Sequence, residues 1–433
     1  MPSAPWSAAP PRPRGRPRVP VLVAVVSVAL LAGCAAEPSP TPTPTPAPSP
    51  TATPVTSAPT PAPSPTSAGT ASPSASPLPS PTPSASCAER TLASLTEAQR
   101  IGQLFDIGLE NDGLSAAERA SIASLHLGSA WFTVKTSAGV TRVRAVSDAV
   151  QAIAGPATTG RVGFLVAANQ EGGTIQALAG PGFDRIPSAL VQGTWSAATL
   201  RSRATTWGRQ LKAAGVNFDF APVADVVPAG TDSTNAPIGQ LAREFGHDPA
   251  TVASHVTAFV AGMTAAGVAT SAKHFPGLGR VVGNTDFTAS VTDTVTTVTD
   301  PYLRPFRDAI AAHVPFVMVS LATYTRIDPD HLAAFSSPVM RDLLRDRLGF
   351  HGVAISDSLS AEAVGAMSPA DRAIDFLAAG GDMLIVREID LVPPMVRAIA
   401  ARVASSPSFR ARVDDAVLRI LEAKAPLGLL PCG

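Results

Sequence analysis

Four groups of polar side chains interrupt the apolar runs of this chain, each just past the end of a run. Asn169-Gln170-Glu171-Gly172-Gly173 follows residues 162–168, Asp225 follows 216–223, Lys273-His274 follows 268–272, and Asp357 follows 353–356. Carboxylates, a lysine and a histidine are the side chains that move protons, attack electrophilic carbon and hold developing charge. Each has a plain structural alternative; taken alone, Asp357 could simply cap the helix after its strand. Their common position is what implies an enzyme. In a closed parallel barrel the C-terminal strand ends converge on one face, and active sites lie there.

The elements that must carry these residues alternate along the chain. Strands are expected at 128–134, 162–168, 216–221, 268–272, 316–320, 353–356 and 383–386. Between them, 197–214 carries apolar residues at helical spacing and stops at Gly215, and 249–266 does the same and stops at Gly267. Segments 304–312, 337–348 and 371–379 follow the pattern. Strand–helix alternation with continuously apolar strands argues a parallel sheet covered by helices. Seven or eight such units fit a (β/α)8 TIM-type barrel, with an open doubly wound sheet as the structural alternative. No Gly-x-Gly-x-x-Gly follows the first strand, so nothing supports a dinucleotide site.

Prolines show where the folded part begins. Of 43 in the 433 residues, 24 lie in residues 1–86, and the remaining 347 residues hold an ordinary share. Arg12, Arg14, Arg16 and Arg18 precede a short apolar run, 19–31, that ends in Leu31-Ala32-Gly33-Cys34. This is the form of a cleaved leader, too short to span a bilayer comfortably. It resembles a bacterial lipobox, so residues 1–33 are expected to be a lipoprotein signal peptide and Cys34 the lipidated first residue. Residues 34–86, rich in Pro, Ser, Thr and Ala, cannot bury enough apolar surface to fold and read as an extended stalk. That leaves 87–433 as a single catalytic domain. Cys87 and Cys432 stand at its two borders, and an even pair in an exported protein suggests a disulfide. No Cys-x-x-Cys occurs and the seven histidines show no ligand spacing, so neither a metal nor an organic cofactor is expected. The 33 basic residues match the 33 acidic ones with no basic run in the folded part, which gives no support for nucleic-acid binding.

Eight segments in series are similar to the family 3 glycoside hydrolases, in the single-domain β-N-acetylglucosaminidase branch that includes lipoproteins of high-GC Gram-positive bacteria. They are SLTEAQRIGQLF, NQEGGTIQAL, GFDRIPSA, LKAAGVNFDFAPVADV, REFGHDP, KHFPGLG, FSSPVMRDLLRDRLGFHGVAISDSL and AAGGDMLIV, and the resemblance runs over about residues 92–421. It implies hydrolysis of terminal N-acetylhexosamine glycosides with retention, and, for a lipid-anchored protein on the outer face of the cell membrane, peptidoglycan fragments as substrate. A monomer is expected. In such enzymes one carboxylate attacks the anomeric carbon while a second group protonates the leaving oxygen.

The resemblance puts the nucleophile at Asp357, kept ionised by Lys273 and Arg243 nearby. The acid/base position departs from the family. Where the family's loop carries a histidine, this chain has Asp286, in KHFPGLG-RVVG-NTD, and Leu278 replaces a histidine earlier in the loop. An aspartic acid can transfer the proton if burial or the neighbouring nucleophile raises its pKa, and Asn284 could orient it by hydrogen bonding. Gly277, Gly279 and Gly283 would let the loop close over substrate. Lys273, His274, Arg243 and Met318 match sugar-binding positions, whereas Asn169 replaces an aspartate and Ala177 an arginine. The alternatives are a core histidine for His274 and an ion pair with Asp225 for Arg243. Two other functions fit the same residues: a phosphorylase, in which phosphate intercepts the intermediate, and an inactive sugar-binding lipoprotein.

Overall fold

The computed structural model describes residues 85–109 and 113–432. The expected signal peptide, the lipidation site Cys34 and nearly all of the stalk lie outside the described residues. Ser86 caps the first helix, Cys87–Ser94: its hydroxyl accepts the Glu89 N–H at 3.1 Å while the Glu89 carboxylate accepts the Ser86 N–H. Cys87 and Cys432 are joined by a disulfide across 345 residues of sequence, with Cα atoms 6.0 Å apart. No helix among the described residues is long and apolar enough to cross a membrane.

Eight parallel strands form the barrel: β1 Phe105–Leu109, β2 Ser129–Phe132, β3 Leu165–Ala168, β4 Phe218–Asp219, β5 Ala269–Phe275, β6 Phe316–Val319, β7 Val353–Ser356 and β8 Leu384–Val386. They pair in sequence order from β1 to β7, and β8 returns to the outer edge of β1. Helices on the outside and packed side chains inside bury both faces of each strand. That is why the strands read as unbroken apolar runs rather than alternating ones: every residue of β3, β6 and β7 is buried. Seven of the eight strands coincide with expected runs. β1 escaped because Asp106 and Gly108 break its apolar run and only Leu104 separates it from helix Glu97–Gln103. Segment 337–348 is a helix, Pro338–Arg347, but wound with wide π-type turns.

The ring closes between β7 and β8. An isolated parallel bridge joins Ile355 to Met383, the Ser356 N–H donates to the Met383 carbonyl at 3.0 Å, and the Ser356 hydroxyl accepts the Ile385 N–H at 2.9 Å. Asp382, fully buried just before β8, secures this seam. Its Oδ2 accepts the Ala354 N–H of β7 at 2.8 Å and Arg345, and its Oδ1 accepts Arg412 at 2.7 Å and Arg419 at 3.2 Å. One carboxylate thus ties three outer helical arginines to the last two strands. Asp382→Ala strands those cations and an N–H, and is expected to cost about 3–5 kcal/mol of stability in urea denaturation.

Candidate active site

The C-terminal ends of the strands open into a cavity of about 280 Å³. Asn169, Arg243, Lys273, His274, Asp286, Met318 and Asp357, all seven residues expected from the sequence, line it. Asn169 follows β3, Lys273 and His274 lie in β5, Met318 in β6, and Asp357 follows β7. Arg243 comes from the long loop after β4 and Asp286 from the loop after β5. Trp131, Phe220, Ile175 and Phe287 add apolar walls. None of these four stood out in the sequence, because an aromatic or aliphatic side chain carries no local mark that separates a cavity wall from the core. Ala177 is buried and does not line the cavity.

A residue missing from the expected set organises the floor. Glu171 sits in a tight hairpin formed by Gln170–Gly172 and Ile175–Gln176. Gly172 adopts φ +111°, and a Cβ there would fall 2.1 Å from the Pro187 carbonyl oxygen, so the turn that aims Glu171 inward demands glycine. Below the hairpin, Asp219 accepts the Gln170 N–H at 3.0 Å, and burial pushes the Asp219 carboxyl up to about 7. Arg243 grips Glu171 bidentately, Nε and Nη2 each 2.8 Å from an oxygen, and the Lys273 Nζ lies 2.6 Å from Oε1. Lys273 also donates to Asn169 Oδ1 at 2.7 Å. Burial works against the Glu171 charge, but the two cations overcome it and hold the carboxyl at about 2.

Arg243 therefore pairs with Glu171 and not with Asp225. Asp225 serves the next strand: its carboxylate contacts His274 Nδ1 at 2.8 Å and accepts the His274 N–H at 3.1 Å and the Leu278 N–H at 2.7 Å. One buried carboxylate thus orients the histidine ring and fixes the root of the loop that carries Asp286. His274 is not a passive core residue, since it lines the cavity with Nε2 3.5 Å from Arg243 Nη2.

The loop after β5 is pinned more tightly than its glycines suggest. A Cβ at Gly279 would fall 1.9 Å from the Val226 carbonyl oxygen, so this glycine permits close packing rather than motion. Buried Asn235 donates to the Leu278 and Val281 carbonyls at 2.8 and 2.7 Å. At the tip, the Thr285 and Asp286 carbonyls accept N–H groups of Ala363 and Glu362, beyond β7, at 3.1 and 3.3 Å. The tip rests closed on the strand end that bears Asp357. Asn284 accepts the Asp286 backbone N–H at 2.9 Å, so it shapes the turn instead of orienting the carboxyl as expected.

Asp286 is exposed at the rim, yet its carboxyl looks onto the cavity and the charges around it. The atoms crowding that carboxyl, and then the negative Asp357, push its pKa above the usual 3.8; Arg243, His274 and Lys273 pull the other way. The Asp357 N–H donates to the Val319 carbonyl at 2.9 Å, and its Oδ1 accepts the Ser358 N–H at 2.8 Å. Two carboxyl groups facing one cavity, one of them with a raised pKa, can divide acid and nucleophile roles between them.

Residues 96–423 match the sequence model described as the glycosyl hydrolase family 3 N terminal domain. A Cellulomonas fimi protein named beta-N-acetylglucosaminidase/beta-glucosidase is 34% identical over 356 residues; the match takes in 78% of this chain but only 59% of that protein's length. A Xylella fastidiosa beta-hexosaminidase is 32% identical over 263 residues, 59% of this chain and 76% of its own. Among solved structures, the beta-N-acetylhexosaminidase from Beutenbergia cavernae superposes with a TM-score of 0.75 at 47% identity, covering 76% of this chain and 99% of that one.

The Glu171 cluster has a pH signature. A carboxyl held at about 2 against an ordinary 4.5 contributes about 3 kcal/mol that is fully present above pH 4.5 and lost as the pH falls toward 2. Urea denaturation of the wild type and Glu171→Gln should show the variant less stable at pH 7, with the gap closing by about that amount between pH 4.5 and pH 2.

Proposed function

This chain belongs to glycosyl hydrolase family 3, and on that footing we propose that it is a retaining β-N-acetylglucosaminidase with Asp357 as nucleophile and Asp286 as acid/base. The observation that carries the proposal is the pair of carboxyl groups facing one cavity, with Asp286 pushed toward its protonated form first by desolvation and then by the charge of Asp357. Asp357 attacks the anomeric carbon as Asp286 gives its proton to the departing glycosidic oxygen, leaving a glycosyl ester on Asp357. Asp286, now a carboxylate, takes a proton from water, and that water attacks the same carbon. Asp357 is released, and two inversions give net retention.

The polar floor supports recognition of a sugar end. Lys273, Arg243, Asn169 and His274 offer donors and acceptors to hydroxyl groups, and Trp131, Phe220 and Met318 offer apolar surface to a ring face. The N-acetylhexosaminide preference follows from the names of the Beutenbergia cavernae and Xylella fastidiosa proteins. The apolar leader with Cys34 and the proline-rich segment support an exported protein tethered by lipid to the outer face of the membrane, and peptidoglycan fragments as the glycan within its reach.

Mass spectrometry after incubation with a slow 2-fluoro hexoside, in which fluorine stands in place of the 2-acetamido group, is expected to show one glycosyl group on Asp357. Binding without a covalent adduct or turnover would reduce the protein to a receptor, and sugar phosphate formed in phosphate buffer would make it a phosphorylase. Asp357→Ala should abolish activity. Asp286→Ala should slow substrates with poor leaving groups by about 10²–10⁴-fold and spare those needing no proton. In the wild type, kcat/KM should fall as the pH rises through the raised Asp286 pKa, because the acid form is consumed; this alkaline limb should vanish in Asp286→Asn.

A further inference from the structure

The loop between β4 and helix Pro249–Ala265 carries a second cluster, outside the cavity walls. Asp232, Glu244 and His247 each bring one ligand-type atom to a common point, all within 4.8 Å of one another. Arg243 turns toward Glu171, while its neighbour Glu244 turns to this cluster. Glu244 is completely buried, and both of its side-chain oxygens lack a hydrogen-bond partner; Asp232 Oδ1 is in the same condition. A buried carboxylate with two unpartnered oxygens beside a second carboxylate is costly unless a cation stands between them.

We propose that Asp232, Glu244 and His247 bind one divalent transition-metal cation of the Zn²⁺ or Mn²⁺ type. In a tetrahedral site, ligand atoms about 2.0–2.2 Å from Zn²⁺ stand roughly 3.3–3.6 Å apart, so the widest pair must close by up to about an ångström, while His247 Nδ1 and Asp232 Oδ1 already stand 3.7 Å apart. A nitrogen with two carboxylates suits such ions better than Ca²⁺ or Mg²⁺, which favour all-oxygen sets. The side chains of Asp232 and His247 are each 36% exposed, which gives the ion a path in and leaves water its remaining positions. The cation would tie together the two ends of the segment that presents Arg243 to the cavity. This departs from the absence of metal expected from the sequence, where 11 residues lie between Asp232 and Glu244 and no ligand spacing appears.

Chelator-treated full-length protein titrated with ZnCl₂ by calorimetry at neutral pH should bind one equivalent, and Zn²⁺ should raise its Tm. Glu244→Gln and His247→Ala should each weaken binding by about 100-fold or more, since even outer partners of a metal site are worth about 10–100-fold. Glu244→Gln removes a buried charge and should fold without metal, so its Tm in chelator checks its integrity while Zn²⁺ no longer shifts it. No binding to the wild type would overturn the proposal and leave the two carboxyls sharing a proton. Binding that survives in both variants would place the ion elsewhere and overturn it too. Mg²⁺ binding as tight as Zn²⁺ would overturn the choice of metal.

Discussion

One buried carboxylate holds the floor of the cavity together. Glu171 is buried, and its charge persists because Arg243 and Lys273 close on it. The dependence is mutual: both cations are nearly or fully enclosed and would be expensive there without it. Arg243 arrives from a long loop and Lys273 from β5, so the ion cluster locks a loop to the barrel at the point where a sugar would rest. The residual hydrogen-bonding capacity of those cations and of Asn169 faces the cavity.

A second carboxylate, Asp225, performs the corresponding task for the loop that carries Asp286. It holds His274 and the Leu278 N–H at once, which couples the histidine on the cavity wall to that loop. Asn235 braces the middle of that loop, and its tip hydrogen-bonds to the segment after β7. With the loop seated, the Asp286 carboxyl lies within the field of Asp357. Desolvation, and after it the field of the neighbouring carboxylate, raises the Asp286 pKa and favours its proton-bearing form.

The barrel was legible because its strands are buried on both faces and therefore unbroken in hydropathy. The expected run 353–356 coincides with β7 residue for residue. Where a polar residue enters a strand the signal fails, as at Asp106 and Gly108 in β1. The cavity residues were legible for a related reason: each departs from the apolar run that precedes it, and the family resemblance supplied Arg243, Asp286 and Met318, which lie in no such position or do not look polar. Glu171 stood in plain view within NQEGG but carried no mark separating it from Gln170 beside it.

Amino-acid order alone was enough for the fold class and for the residues expected to line the cavity, since hydropathy period, composition and local motif are properties of neighbouring residues. Pairing was not. Whether Arg243 meets Asp225 or Glu171, whether Asn284 holds a carboxyl or a backbone N–H, and whether Asp232 meets Glu244 and His247 all depend on distances between segments far apart in the chain. Charge interactions act through space over a few ångströms and take no account of sequence separation, so only folding brings those partners into range.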